Sequence, residues 1–181
     1  LSETVELDLV KLQRNFYSTS SCGICGKESL DALDFEGYVA AAPGVPRVDA
    51  AVIHRLPGLL RPAQAVFAAT GGLHAAGLFT PAGELVAVRE DVGRHNAVDK
   101  LIGAELMAGR LPLAERLLLV SGRVSFEILQ KALAAGVPII VAVGAPSSLA
   151  VDMAERFGMT LVGFARDERF NIYTGADRIV R

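Results

Sequence analysis

The hydrophobic pattern is clearest in the second half of the chain. Unbroken apolar runs over 116–120, 138–143 and 160–165 alternate with stretches, 124–135 and 147–157, whose apolar residues recur at helical spacing. Unbroken runs suit strands buried on both faces, and helices between them make right-handed crossovers, so the pattern predicts two βαβ units with parallel strands. Gly136 and Gly158 stand where each helix should stop. Upstream, an apolar run over 73–79, the turn sequence Thr80-Pro81-Ala82-Gly83 and a second run over 84–88 predict a hairpin with a four-residue loop. Asp91-Val92-Gly93-Arg94 then leads into a helix over 95–108.

Before the hairpin the pattern is helical but punctuated. Asp49 caps a first turn through Arg55, Leu56-Pro57-Gly58 interrupts it, and a second helix runs from Leu60 to Ala69 before Thr70-Gly71-Gly72 ends it. Ala41-Ala42-Pro43-Gly44-Val45-Pro46 breaks the chain, 28–33 reads as a short helix, and Thr4 to Leu9 alternates polar and apolar residues like a strand. A chain that starts at Leu1 and enters that pattern at once is expected to be part of something longer. No internal repeat or low-complexity linker interrupts it.

Composition narrows the function classes. The 181 residues, 51% hydrophobic and 21% charged, can bury one sizeable core, so a single domain is expected. A net charge of −2 leaves no cationic excess for coating nucleic acid or anionic lipid, and any anion site must be local. No run approaches the roughly 18 apolar residues of a membrane helix, so a soluble protein is expected. Two cysteines exclude a disulfide scaffold and a self-contained four-cysteine zinc site. They lie together in Ser20-Ser21-Cys22-Gly23-Ile24-Cys25-Gly26, a spacing that suits a shared metal, a disulfide, mutually assisting thiolates or a pair of inert thiols. The Ser and Gly around them suit a solvent-reachable loop whose free N–H groups favour a thiolate.

Ligands of open α/β sheets bind beyond the carboxyl ends of the strands. Four polar segments fall there: Glu90-Asp91-Val92-Gly93-Arg94-His95-Asn96, Ser121-Gly122-Arg123, Gly144-Ala145-Pro146-Ser147-Ser148 and Arg166-Asp167-Glu168-Arg169-Phe170-Asn171. Each has small residues or polar groups for close approach, and three carry an Arg suited to phosphate. Together they point to a phosphorylated or nucleotide-like ligand. Taken singly, Ser147-Ser148 serves equally as a helix cap and Arg166 and Arg169 as a solvated loop. His95 and Asp99 share a helix face beside Lys100, which fits a ligand-gripping cluster or a capping Asp91 with ordinary ion pairs. His74 reads equally as a site residue or a core side chain, and His54 as structural or exposed.

Three stretches together are specific: Thr19-Ser20-Ser21-Cys22-Gly23-Ile24-Cys25-Gly26-Lys27, Thr70-Gly71-Gly72-Leu73-His74-Ala75-Ala76, and Arg89-Glu90-Asp91-Val92-Gly93-Arg94-His95-Asn96-Ala97-Val98-Asp99-Lys100. With Val120 to Glu127, Ala145 to Ala150 and Gly163-Phe164-Ala165-Arg166, the chain resembles the FdhD family in the same order over nearly its whole length, without that family's additional N-terminal segment. The resemblance implies a cytidine deaminase-like three-layer α/β/α sandwich with a mixed sheet, a hairpin followed by βαβαβ. It places an N-terminal strand and CxxC loop in 1–46 and the α/β core in 47–181. It further implies a cytoplasmic accessory sulfurtransferase that takes sulfur from a cysteine desulfurase as a persulfide and passes it to the molybdenum bis(molybdopterin guanine dinucleotide) cofactor of formate dehydrogenase, with a homodimer the expected assembly.

Carried onto this chain, Cys22 bears the persulfide and Cys25 assists. The Phe164, Ala165, Arg166, Asp167, Glu168 and Arg169 segment takes the guanylate end, for which GDP is a surrogate. Gly71, Gly72, His74, Arg94, His95, Ser121, Gly122, Arg123, Ser147 and Ser148 complete the expected binding edge. Zinc deamination is the main rival, since the shared fold would bring His95-Asn96-Ala97 and Ser121 to Ser125 where deaminases hold zinc. The general-base Glu and both zinc cysteines are absent from those places, so no bound metal is expected. A chaperone that holds the cofactor without moving sulfur, and a metal or redox switch at the CxxC, are the other readings.

Overall fold

The computed structural model describes residues 42–166 and 169–180. The expected strand over Thr4 to Leu9 and the short helix over 28–33 lie outside them. In chain order the elements are β1 (Val48–Asp49), α1 (Ala50–Ala63), α2 (Ala65–Thr70), β2 (His74–Phe79), β3 (Leu85–Asp91), α3 (Arg94–Met107), β4 (Leu117–Val120), α4 (Phe126–Ala134), β5 (Ile139–Ala142), α5 (Ser148–Arg156), β6 (Thr160–Arg166), β7 (Arg169–Thr174), a single 3-10 turn (Ala176–Arg178) and β8 (Ile179–Val180).

The apolar runs make one mixed sheet in the order β3-β2-β4-β5-β6-β7. β4, β5 and β6 run parallel, as their unbroken apolar character predicts, while β2 pairs antiparallel with β3 and β4, and β7 antiparallel with β6. The two-residue period of a strand divides the core. Leu118, Val120, Ile140, Ala142 and Leu161 face α3, α4 and α5 through Val98, Leu101, Leu129, Leu133 and Met153. Leu117, Leu119, Ile139, Val141 and Val162 face α1 through Ile53, Leu56 and Leu60. Three layers result, each large side chain contributing about 1.5–3 kcal/mol by leaving water. No helix among the described residues is long and apolar enough to cross a membrane.

Two elements differ from the pattern's prediction. α1 runs straight through Pro57 and Gly58. An interior proline costs about 3 kcal/mol, but Val52, Ile53, Leu56 and Leu60 form one buried stripe that only a continuous helix presents to the sheet. The break comes at Gln64, where the backbone leaves the helical region and its N–H reaches only to Arg61 O at 3.3 Å. β7 was expected as a polar loop; it is an edge strand, mostly exposed, whose alternating Phe170, Ile172 and Thr174 are its only period-two signal.

One buried cation ties the chain entering from the CxxC segment to the sheet. Arg178, only 1% exposed, donates from Nε to Val45 O (2.8 Å), from Nη1 to Gly158 O (2.9 Å) and Thr160 Oγ1 (3.1 Å), and from Nη2 to Ala42 O (2.7 Å). Burial pushes its pKa down, partly opposed by Asp177. The converging acceptors offset the loss of hydration.

Candidate functional site

β3, β4, β5 and β6 end on the edge where β2 begins, so the polar segments expected to act together do share one rim. Backbone bonds run along it: Ser121 N donates to Ala75 O (2.9 Å), Gly144 N to Gly122 O (3.0 Å) and Phe164 N to Gly144 O (3.1 Å). The glycines serve this loop-on-loop packing. A Cβ on Gly144 would stand 3.0 Å from Gly122 O and Arg123 N, and one on Gly122 would stand 3.2 Å from His74 Nδ1.

On the hairpin side of the rim the polar groups bind one another. Asp91 accepts from Gly93 N (2.9 Å) and Asn96 Nδ2 (3.1 Å) and pairs with Lys100 Nζ at 2.5 Å. Lys100 first, then the Gly93 N–H, lower the Asp91 pKa from 3.8 to about 2. Glu90 reaches back to Val66 N (3.0 Å) and Phe67 N (2.8 Å), capping α2, whose own N-cap Gln64 contributes no side-chain bond. His95 Nε2 lies 2.8 Å from Ser125 Oγ and 3.2 Å from Glu127 Oε2. Burial and then Arg94 push its pKa below 6.5, against the pull of Glu127. Asp99 pairs instead with Lys131 at 2.5 Å. The expected His95–Asp99–Lys100 cluster is therefore three separate interactions, and Asp91 is a local anchor. Ser121 Oγ accepts from Ala75 N (2.8 Å), and Ser147 Oγ caps α5 through Ala150 N (3.3 Å). His95 and Ser125, which the deaminase reading would bring together, lie 2.8 Å apart, and among the described residues no three His, Cys, Asp or Glu side chains converge on a metal position.

The opposite end of the rim is different. Phe164, Arg166, Arg169 and Asn171 line an open cleft of about 320 Å³ at the β6–β7 turn. Phe164 holds φ at 54°, a left-handed conformation that costs an L-residue about 1–2 kcal/mol, and the ladder shifts register between Gly163 and Arg166. Arg166 and Arg169 make no hydrogen bond or ion pair among the described residues, and the planar guanidinium fork of each suits an anion. Ala165, expected at the ligand, is 1% exposed and packs into the core with Val162, because the Phe164 bulge inverts the alternation. Asp167 and Glu168, like Cys22 and Cys25, lie outside the described residues.

A second cleft, about 330 Å³, opens at the start of β2. Gly71, Gly72, His74 and Ser121 line it. His74 is thereby a rim residue and not a core one. Arg61, Gln64 and Phe67 line it too, and sequence reasoning missed them. The one available signal was a lone Gln within the apolar stretch from Leu60 to Ala69. Arg61 lies over the Phe67 ring, 4.0 Å from its centroid. Arg94 is partly buried and engaged, whereas Arg123 and Ser148 are at the rim without a side-chain hydrogen bond among the described residues.

Comparison with known proteins agrees with this architecture. The chain is 57% identical over 177 residues to the sulfur carrier protein FdhD of Streptomyces coelicolor, covering 97% of this chain and 62% of that protein. The protein of the same name from Sulfolobus acidocaldarius is 51% identical over 166 residues, 92% of this chain and 63% of the relative. The chain thus spans somewhat under two thirds of the curated relatives it matches. A solved structure from Desulfotalea psychrophila, described as a formate dehydrogenase accessory protein, superposes with a TM-score of 0.70 at 33% identity, covering 80% of this chain and 61% of that one. The model of the FdhD/NarQ family matches residues 2–180. The chain belongs to the FdhD/NarQ family.

Proposed function

We propose that the protein is a sulfur carrier that loads a molybdenum cofactor on its way to formate dehydrogenase. The similarity to sulfur carrier proteins over almost the whole chain, Cys22 and Cys25 included, carries this reading. The Cys22 thiolate attacks the outer sulfur of a cysteine desulfurase persulfide; a new S–S bond forms on Cys22 and the donor cysteine leaves as thiolate. Once the cofactor is in place to take the sulfur, attack of Cys25 on Cys22 releases it as sulfide and closes a Cys22–Cys25 disulfide, which a thiol reductant reopens. The cytoplasm, where thiols stay reduced, suits that cycle.

The cargo is the bis-guanylate molybdenum cofactor, a substrate with several phosphates. The Arg166 and Arg169 cleft supports this, since two guanidinium groups with no hydrogen bond or ion pair among the described residues match phosphate oxygens. A lasting zinc ion is not part of the reading. Intact-mass measurement of the chain after incubation with a cysteine desulfurase and cysteine tests it. One added sulfur is expected on the wild type and on Cys25→Ala, and none on Cys22→Ala. An unmodified wild type that still binds GDP would replace the sulfur carrier with a cofactor-holding chaperone.

A further inference from the structure

A third cleft lies on the α1 face of the sheet, beside β7, and at about 660 Å³ it is larger than either rim cleft. Ala50 and His54 of α1, Phe170 and Ile172 of β7, Ala176 of the 3-10 turn and Ile179 of β8 line it. The His54 ring packs on Phe170, 4.7 Å between centroids, so the floor is largely apolar. The strands around it are left open. Among the described residues β7 bonds to β6 alone, so its outer edge offers main-chain N–H and C=O groups that no strand covers. β1 and β8 pair over only two residues each, too short a ladder to stand by itself. Ile172 and Val180, one on each open strand, are 38% and 42% exposed.

The chain outside the described residues comes in beside this cleft. Ala42, the first described residue, is gripped through its carbonyl by Arg178 Nη2 at 2.7 Å, and Val48 then pairs with Ile179 in the cleft wall. Forty-one residues precede Ala42, and the family match takes in all of them but the first. Among them Thr4 to Leu9 alternates, with Val5, Leu7 and Leu9 apolar and Glu6 and Asp8 acidic. Such a pattern has one face to bury and one to leave in water.

We infer that residues 4–9 dock in this cleft as an extended strand, with Val5, Leu7 and Leu9 turned onto Phe170, Ile172 and Ile179, and Glu6 and Asp8 facing solvent. An added strand satisfies open main-chain groups while alternate side chains fill the pocket beneath, which is how sheet edges take up extended peptides. Six residues in a strand span about 20 Å, the reach of the six-residue β7. A strand from another protein would meet the same edge. The chain's own segment is tethered at Ala42, however, and competes at an effective concentration on the order of millimolar. Docking also closes the 32 residues between Leu9 and Ala42, Cys22 and Cys25 among them, into a loop anchored at both ends beside β7. The cysteines then search a smaller volume than a free tail would. Only the use of that loop rests on the sulfur carrier reading; the docking does not.

The test uses the full chain. A photoreactive benzophenone amino acid replaces Ile172, and after irradiation the tryptic peptides are mapped by mass spectrometry. A crosslink within one chain to the peptide Leu1 to Lys11 is expected. Amide hydrogen exchange then follows β7 in wild type, in Val5→Asp with Leu7→Asp, and in Glu6→Ala with Asp8→Ala, with a melting curve for each. The apolar-face variant should exchange its β7 amides at least about tenfold faster than wild type, and the acidic-face variant at the wild-type rate. If the apolar-face variant does not fold, the crosslink decides alone. Unchanged β7 exchange in a folded apolar-face variant, equal acceleration in the acidic-face variant, or a crosslink that joins two chains or misses residues 1–11 overturns the docking. None of these outcomes touches the sulfur adduct, which tests the carrier reading separately.

Discussion

The two ends of β6 put arginines to opposite uses. At the amino end Arg178 is buried, and four acceptors from two separate segments, 42–45 and 158–160, close around it. Thr160 there is fully buried, bonded both to Arg178 and to Gly175 O at 2.8 Å. At the carboxyl end Arg166 and Arg169 are exposed and unbonded among the described residues, beside a left-handed Phe164. Cation count alone does not separate a structural anchor from a binding site; what separates them is whether the fold has already satisfied the cation. By that criterion the hairpin side of the rim, with Asp91, Asp99 and Glu90 all engaged, belongs with the anchor.

The comparison can be broken from either end. Arg178→Met strands its acceptors in the interior and is expected to cost about 3–5 kcal/mol; a denaturant midpoint close to wild type would mean that Arg178 is no anchor. Gly175→Ala acts on the same end, because its Cβ would fall 2.5 Å from Thr160 Oγ1 at a φ of +63°, and about 1–3 kcal/mol is expected in the same measurement. Glu90→Ala uncaps α2 and should cost about 1 kcal/mol without changing nucleotide affinity. Loss of GDP binding in that variant would instead move Glu90 into the site.

Acid titration separates the rim's engaged carboxylate from the rest. The Asp91 pKa is lowered from 3.8 to about 2, so its stabilisation is complete above its ordinary value and disappears as pH falls towards 2. Asp91→Asn should remove that part of the acid transition and nothing at neutral pH beyond the lost ion pair. His95 acts earlier: its folded pKa is below 6.5, so the unfolded chain takes up the proton first and stability falls as pH drops below 6.5. His95→Gln should flatten that stretch of a pH–melting curve. The smallest effect is expected at Phe164→Gly, where relief of about 1 kcal/mol of backbone strain roughly offsets lost packing of a half-exposed ring. A large drop in melting temperature would show that the ring, and not the strained backbone, matters there.

How legible this was in the sequence depended on whether the signal was local. The parallel core was readable because strands buried on both faces must be continuously apolar, and the polar rim because such sheets bind ligands at their carboxyl edge. Pro57 misled because the buried stripe of α1 outweighs a local helix breaker. β7 was missed because an exposed edge strand carries almost no apolar pattern, and Ala165 was misplaced because the Phe164 bulge inverts the side-chain alternation. The pairings that engage Asp91, Asp99 and Glu90 arise between elements far apart in sequence or in the turn that joins them. Gln64 needed the fold itself, since nothing in the chain says that a lone amide will be buried against a cleft.

The division of the rim is tested most directly by calorimetric titration of GDP into wild type, Arg166→Ala with Arg169→Ala, and Asp91→Asn at one ionic strength. Two charge-assisted contacts of about 1.5–3 kcal/mol each predict that the double arginine variant loses more than about a hundredfold in affinity at an unchanged melting temperature. Asp91→Asn should bind as the wild type does while melting earlier. Undiminished GDP binding in the arginine variant, or its loss in Asp91→Asn alone, would contradict the assignment of the phosphate site to the carboxyl end of β6.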